Sequence, residues 1–592
     1  MAHRTRPTAP SNPRQGIVLL EESELTRVLP NHGIPLSSRG GPGRPPLVLL
    51  HQDVSRVRTA SQGSSRRGYN DQRMVRHSQA PSSTIDSVTE RQGPFHISHT
   101  PMISSKLSVT SVDTVPLSHG AFRAGGPVDL FSRHYVGLLL NWIVIGFFNG
   151  GIQALVYPLF LEYLGMEDFH ASSILTLLDF AWYLKFIFGF ISDSCPINRK
   201  RRKPYIYIGW SVFLIFMVTM AFMREVEPLH DRNGDILNED APNDGPRYVI
   251  PLMAVSFAHL MATVACEGMM IEFAQREGEY VRGRTQCIII MFRFLGEFIG
   301  TMIISMTCNG PEYGGDFSVS LPLQATFILL GFVAALGIAV TKFFLVEEAI
   351  TTSSQPIRSQ LRRVWGIVQQ RPTWQLMVFG FLCKSATNYD ILEYQAVYYR
   401  WLHVGNLVLN ISSALEKTGL IAAAYLMYKF WVNTNWRTQL VGSLALGIVI
   451  TLPVELITYF DVWRNQYFYL TKDQLVGVCD AVIWILRQLA IVEIVEPGYE
   501  ATTYGLITTV YNLATPTVSF VVKSLAAAFN HKKQNLDADT SAVRWHITIE
   551  QFVRIAIRIV VILAVLPLLP RQKRTPKSSS CAVRVASSSP SP

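Results

Sequence analysis

Asp179-Phe-Ala-Trp182-Tyr-Leu-Lys185-Phe-Ile-Phe-Gly189-Phe-Ile-Ser-Asp193, followed by Pro196-Ile197 and the run Arg199-Lys-Arg201-Arg202-Lys203-Pro204-Tyr205, is the stretch on which the reading of this chain turns. An apolar helix ends in an acid and a tight turn, and five consecutive bases follow. Gly189 lets a neighbouring helix approach closely. Asp193 is placed to cap the next helix or to pair with the bases. Basic loops of this kind mark the cytoplasmic side of a membrane protein.

Working outward, apolar runs of about 20 residues recur, each long enough to cross about 30 Å of hydrocarbon. Twelve spans are expected, near 136–161, 171–192, 204–223, 248–271, 286–308, 321–345, 373–398, 409–431, 437–460, 474–496, 502–525 and 547–569. The composition agrees: 49% of the 592 residues are hydrophobic and 16% charged, where soluble domains run near 25% charged. The net charge of +10 does not point to nucleic acid. Residues 1–132 hold 15 Lys/Arg against 9 Asp/Glu, and the other basic clusters flank apolar runs, as the positive-inside rule requires. The seven cysteines are scattered singly, with no CxxC pair and no disulfide framework. No cofactor or metal is expected.

The loops orient the array. Residues 223–247 carry seven acids and three arginines and are expected outside. The acidic loop near Glu312 and Asp316 and the glycosylation sequon Asn410-Ile-Ser412 fall on the same side. Both termini are then cytoplasmic, which suits the basic tail with Arg571, Lys573, Arg574 and Lys577. Residues 1–132, rich in Ser, Pro, Gly and Arg, are read as a disordered basic tail. No apolar signal core follows Met1, and acids at Glu21, Glu22 and Glu24 weigh against an organelle transit peptide. The plasma membrane is therefore the expected membrane. Residues 133–345 form an N-terminal six-helix half and 373–570 a C-terminal one, with a disordered tail at 571–592. Between the halves, residues 346–372 are read as a cytoplasmic linker. Its residues Arg358, Leu361, Arg362, Arg363, Trp365 and Val368 trace an amphipathic helix on the membrane surface. A linker dividing six spans from six is the architecture of the major facilitator fold, an all-α membrane bundle.

The wording of the opening stretch resembles the folate–biopterin transporter family of that superfamily. Its second helix reads roughly Pro-Trp-x-x-Lys-Pro-x-x-Gly-x-x-Ser-Asp, then Pro-Ile and a basic stretch ending in Pro-Tyr. Trp182, Lys185, Gly189, Ser192, Asp193, Pro196, Ile197, Pro204 and Tyr205 match. Ala181 and Phe186 stand where the family has prolines, which implies a weaker kink. In the superfamily such a Gly-x-x-x-Asp and basic loop latches the two halves, so the resemblance makes Gly189, Asp193, Arg201 and Arg202 a gating motif. A second match is Pro497-Gly498-Tyr-Glu500-Ala-Thr with Asn512 downstream, although Glu496 occupies the family's proline position and Pro497 follows it. Span four adds Glu267, Gly268, Glu272 and Arg276, with Glu267 in place of a usual Asp. The resemblance implies secondary transport of a folate or biopterin, with S-adenosylmethionine or another small metabolite as the alternative cargo.

Charges inside the spans give a reading independent of any family. A charge at mid-bilayer costs about 2.5–3.5 kcal/mol even on lenient scales. This chain carries Asp179, Lys185, Glu267, Arg293, Glu297, Lys384, Asp390, Glu393, Glu416, Lys417, Glu455, Asp480, Arg487, Arg554 and Arg558 in its spans. Such a set marks a polar pathway, with about half expected as structural pairs. Arg293 and Glu297 share a helix face. Arg554 and Glu416, near helix ends, are read as snorkelling. A folate-like solute needs cations for its carboxylates, a carboxylate for the pterin edge and an aromatic surface for its ring. Lys185, Arg293, Lys384 and Arg487 are the candidate cations, and Trp182 is the candidate stacking ring. Asp179 and Glu267 are the candidate groups for the coupling proton.

Other classes fit less well. There is no His-rich box for a membrane-embedded enzyme and no Gly-x-x-x-x-Gly-Lys-Ser/Thr loop for an ATP-driven pump. A sensor derived from a carrier would share the layout. It is separated from a carrier by solute accumulation.

Overall fold

The computed structural model describes residues 120–230, 235–315, 317–350, 356–389, 397–528 and 539–569. The tail expectations for 1–119 and 571–592, and the spans' acids Asp390 and Glu393, lie outside the described residues. The fold is all-α, and 11 helical segments are long and apolar enough to cross a membrane. The first six spans contain α1 (Val136–Tyr157), α2 and α3 (Asp168–Tyr183, Lys185–Ser194), α4 (Lys203–Ala221), α5 (Gly245–Ala274), α6 (Arg284–Thr307) and α7 (Leu323–Phe343). The linker contains α8 (Ile357–Gln369). Then follow α9 (Arg371–Thr387), α10 (Asn406–Leu426), α11 (Trp436–Tyr459), α12 (Gln466–Val492), α13 and α14 (Glu500–Asn512, Ala514–Ala528) and α15 (Ser541–Val565). The seventh expected span falls on α9, 17 residues long, and residues 390–396 of that expected span lie outside the described residues. Asn410 of the sequon lies inside α10 rather than in a loop, and Ser412 there accepts from Gln474.

Small residues set the closest helix contacts. α1 and α6 meet through Gly146 and Gly150 on one side and Gly296 and Gly300 on the other. A Cβ at any of the four would run into a backbone carbonyl of the facing helix. Each pair is a small-xxx-small step, which brings helix axes close where lipid supplies no hydrophobic drive. Asn141 of α1 then ties in two further helices, accepting from Trp210 of α4 and Thr341 of α7 at 3.0 Å each. Glu347, after α7, caps the start of α4 by accepting from the backbone N–H groups of Arg201, Arg202 and Lys203 at 2.7–2.9 Å. Across the two sets of six, α3 and α5 pack on α13, and α6 packs on α10.

The second span breaks outright. Leu184 leaves helical geometry (φ −99°, ψ 8°) between α2 and α3, although the family's prolines are absent. Four N–H groups of a new helix need partners, and that of Phe186 donates to Thr509 Oγ1 of α13 at 3.2 Å. The missing prolines therefore do not straighten the helix, because the facing span satisfies the freed backbone.

α8 turns Gln360, Val364 and Ile367 into the protein and exposes Ile357, Arg358, Leu361, Arg362 and Trp365. One face is thus packed on the protein, and the other, with both apolar and basic side chains, is exposed. Residues 120–132, read from sequence as the end of the tail, are seated on the bundle. Phe122 and Arg123 donate their N–H groups to the Gln275 carbonyl at 3.0 and 3.1 Å, and Leu130 is buried.

Candidate functional site

A cavity of about 340 Å³ lies between the two sets of helices. Lys185, Arg293, Lys384, Arg487, Trp182, Asp179 and Glu267 all line it, so every candidate cation, ring and proton group is brought to one place. Asn512 of the second motif is there too. Trp182 on α2 and Lys185 on α3 flank the break at Leu184, and Tyr504, Thr508 and Tyr511 of α13 line the same cavity.

The charges divide into paired and unpaired sets. Lys185 Nζ donates to Glu267 Oε1 at 2.6 Å, deep in the protein. The ammonium stands 5.5 Å from the Trp182 ring centre and 5.1 Å from that of Tyr504, within cation–π range. Glu267 Oε2 is buried without a hydrogen-bond partner. Arg293 pairs with Glu297 at 3.0 Å, as their four-residue spacing predicts, and Asn149 also donates to Glu297. Lys384 donates to the Asn512 amide oxygen at 3.1 Å. Arg487 is 4% exposed, yet its Nε and Nη1 have no partner. Neither Lys384 nor Arg487 has a carboxylate within ion-pair distance among the described residues. A buried guanidinium is costly unless something pairs with it.

The residues expected to form a gating motif lie at the basic-loop end and are not among those lining this cavity. Asp193 Oδ2 accepts from both N–H and Oγ1 of Thr502, at 2.7 and 2.6 Å. It thus caps α13 of the opposite half. Gly189 permits the approach, since a Cβ there would strike the Ala501 carbonyl. Arg202 is fully buried and binds Asp193 at 2.7 Å, Glu272 at 2.8 Å and Glu500 at 3.2 Å. Burial opposes the Arg202 charge, and the three carboxylates more than offset it, so the guanidinium's pKa is raised. Gly268 leaves the room that this side chain occupies. Arg201 reaches the Gly498 carbonyl at 3.5 Å, and Gly498 N–H donates to Glu500 at 2.6 Å. Pro497 is exposed beside them. Glu496, in the family's proline position, accepts from Arg363 and Gln370 of the linker, both at 2.8 Å.

Two features escaped the sequence reading. Arg123, inside the presumed tail, donates to Glu500 and to Gln275 Oε1, and lies 3.8 Å from Glu272. Nothing in a Gly- and Arg-rich stretch distinguishes it from its neighbours. Arg554 does not snorkel. It is 7% exposed and sits 3.6 Å from Glu455, because α15 turns that face inward. Asp480 pairs with Arg558 at 2.6 Å and not with Arg487.

Among known proteins, the family model described as Major Facilitator Superfamily matches residues 143–518. The Folate-biopterin transporter of Synechocystis sp. is 23% identical over 409 residues, covering 65% of this chain and 74% of that protein. Folate transporter 1 of Plasmodium falciparum is 18% identical over 393 residues, covering 65% and 72%. Folate transporter 2 of the same organism is 21% identical over 371 residues, covering 61% and 74%. A solved D-xylose-proton symporter superposes with a TM-score of 0.52 at 14% identity, over 74% of this chain and 98% of its own. At that identity the likeness speaks for the fold alone.

Proposed function

The chain belongs to the Major Facilitator Superfamily and is a membrane transporter rather than an enzyme, and from that premise we propose that it carries a pterin-type solute with an anionic tail, folate before biopterin, coupled to protons. The observation that carries this reading is the unpaired cationic wall. Among the described residues, Arg487 and Lys384 face the cavity with no carboxylate in ion-pair distance, while Lys185 and Glu267 stand paired beneath Trp182 and Tyr504.

A folate's carboxylates suit the first group, through charge-assisted hydrogen bonds. Its ring suits the second, where Glu267 Oε2 is an unused acceptor for a pterin N–H edge and the aromatic faces offer stacking. S-adenosylmethionine offers one carboxylate beside an ammonium and a sulfonium, and so suits two unpaired cations less well than folate's two carboxylates. The relatives named for folate and folate–biopterin transport support the same cargo class. Asp179 and Glu267 are the proposed proton groups, because carboxylates at the cargo site tie protonation to loading. The Asp193–Thr502 and Arg202 contacts form the proposed gate of an alternating-access cycle, on the side the basic loop assigns to the cytoplasm. Both termini then lie on that side, and the plasma membrane is the proposed membrane.

The test is uptake of labelled folate, biopterin and S-adenosylmethionine by cells expressing the chain, with surface expression verified. Folate should accumulate above the external concentration, and a proton uncoupler should abolish the gradient. No uptake of any of the three removes the cargo assignment. Accumulation that persists under the uncoupler removes the proton.

A further inference from the structure

Residues 120–123 lie across the seam between the two sets of helices as a strap. The N–H groups of Phe122 and Arg123 share the Gln275 carbonyl, and Arg123 Nε donates to Gln275 Oε1 at 3.2 Å. Gln275 itself crosses the seam, donating to the Val495 carbonyl at 2.9 Å. Arg282 donates to the Gly120 carbonyl and stands 3.8 Å from the centre of the Phe122 ring. It also reaches Glu493, beyond the seam, at 2.9 Å. The strap is thus an outer layer over two cross-seam contacts, Gln275–Val495 and Arg282–Glu493. Arg123 adds a third by pairing with Glu500.

Charge decides what this layer does. Behind it, Asp193, Glu272 and Glu500 surround Arg202. Glu500 belongs to one half, and Asp193, Glu272 and Arg202 to the other. Three carboxylates against one guanidinium leave an excess of two negative charges, and like charges facing each other across a seam push it apart. Arg201 is turned to the Gly498 carbonyl rather than to a carboxylate. Arg123 approaches both Glu500 and Glu272 and halves the excess. An exposed ion pair would add little, but the Glu500 side chain is wholly buried, so taking its partner away is costly.

We propose that the strap is an autoinhibitory lock on this end of the transporter. While Arg123 is seated the mouth stays shut, and it opens only once residues 120–123 have lifted off Glu500. This inference rests on the alternating-access reading of the seam, but its claim about the lock stands apart from cargo.

Ala501 of α13 can report on the seam. It is 1% exposed and clusters with Ala181, Leu260 and Val264 of the other half. A thiol introduced by Ala501→Cys should therefore react with a charged maleimide only while the seam is parted. On purified full-length protein, with modification at that position read by peptide mass spectrometry, Arg123→Ala should raise the rate at least tenfold. Buried Cys308, just past α6, should stay as slow as before, which separates opening from unfolding. Adding Glu272→Gln removes one acid and no cross-seam bond, and should return the rate toward its starting value. If Arg123→Ala loosens the whole fold, Phe122→Ala decides, since that ring is 44% exposed and the bundle does not depend on it. It should raise the rate in the same direction. In proteoliposomes, Arg123→Ala should speed the exchange of labelled folate. No rise at the introduced thiol in either variant overturns the lock. A rise that Glu272→Gln leaves in place overturns its electrostatic basis. A freed seam with folate exchange no faster than in the unaltered protein overturns the inhibitory role. A freed seam with no folate movement even in the unaltered protein leaves the lock standing and removes the cargo reading.

Discussion

Arg487 is the residue on which the proposed anion recognition turns. A hydrogen bond to a charged group contributes about 1.5–3 kcal/mol, so Arg487→Gln should raise the KM for folate by roughly tenfold to a hundredfold. Biopterin, which lacks the carboxylates, should be affected far less. Uptake kinetics for both solutes check this, and an equal loss for the two would count against the assigned contact. Asp539 gives a prediction in pH. Hydrogen bonds from Arg544 and then from Arg464 hold its carboxyl well below its ordinary range. Its folded pKa is depressed, so its contribution to stability is present above the ordinary carboxylate pKa near 4 and is lost as pH falls below that. Asp539→Asn should lower the Tm at neutral pH and flatten its decline under acid, as a thermal-shift series would show. At this scale the charged residues that line the cavity were legible from sequence, because a charge inside hydrocarbon is conspicuous by its cost. Tyr504 was not, since an aromatic in a span is ordinary until its neighbour is known to be Lys185.

The break in the second span shows what an element owes to its partner. Phe186 has an N–H where the family's proline has none, and Thr509 Oγ1 accepts it. Thr509→Val should leave that donor orphaned and cost about 1–3 kcal/mol. In a Phe186→Pro background the same change should cost close to nothing, because proline is tolerated in the first turn of a helix and has no donor to lose. Thermal unfolding of the four proteins of this cycle measures the difference, and equal losses in both backgrounds would break the argument. Span positions were legible because apolar length alone sets them. The break was not, because its cause lies more than 300 residues away along the chain. Nor did the sequon's three letters reveal that Asn410 is already helical.

For the molecule as a whole, the basic-loop end is the closed end. Asp193 caps a helix of the other half, and Arg202 and Arg123 span the seam. Removing one partner of a buried ion pair costs about 3–5 kcal/mol, and here the loss falls on the closed state. Asp193→Asn should therefore shift the population toward opening at this end. Distance distributions between spin labels on Ile197 and Glu493 should then gain a longer component, and an unchanged distribution would show that the seam is held elsewhere. The two-half layout was legible from loop charge and linker alone. The clamp by Arg123 was not, because it depends on where a nondescript segment happens to dock. Burying Arg202 among three acids has one more consequence. While the seam is shut, Arg202, Asp193 and Glu500 are out of reach of dissolved salt. Once water enters, mobile ions screen them over about 8 Å at physiological ionic strength. Added salt should thus hardly hasten the opening of the seam but should slow its re-closure. A transporter cycling at high ionic strength would then spend longer per turnover with this mouth open.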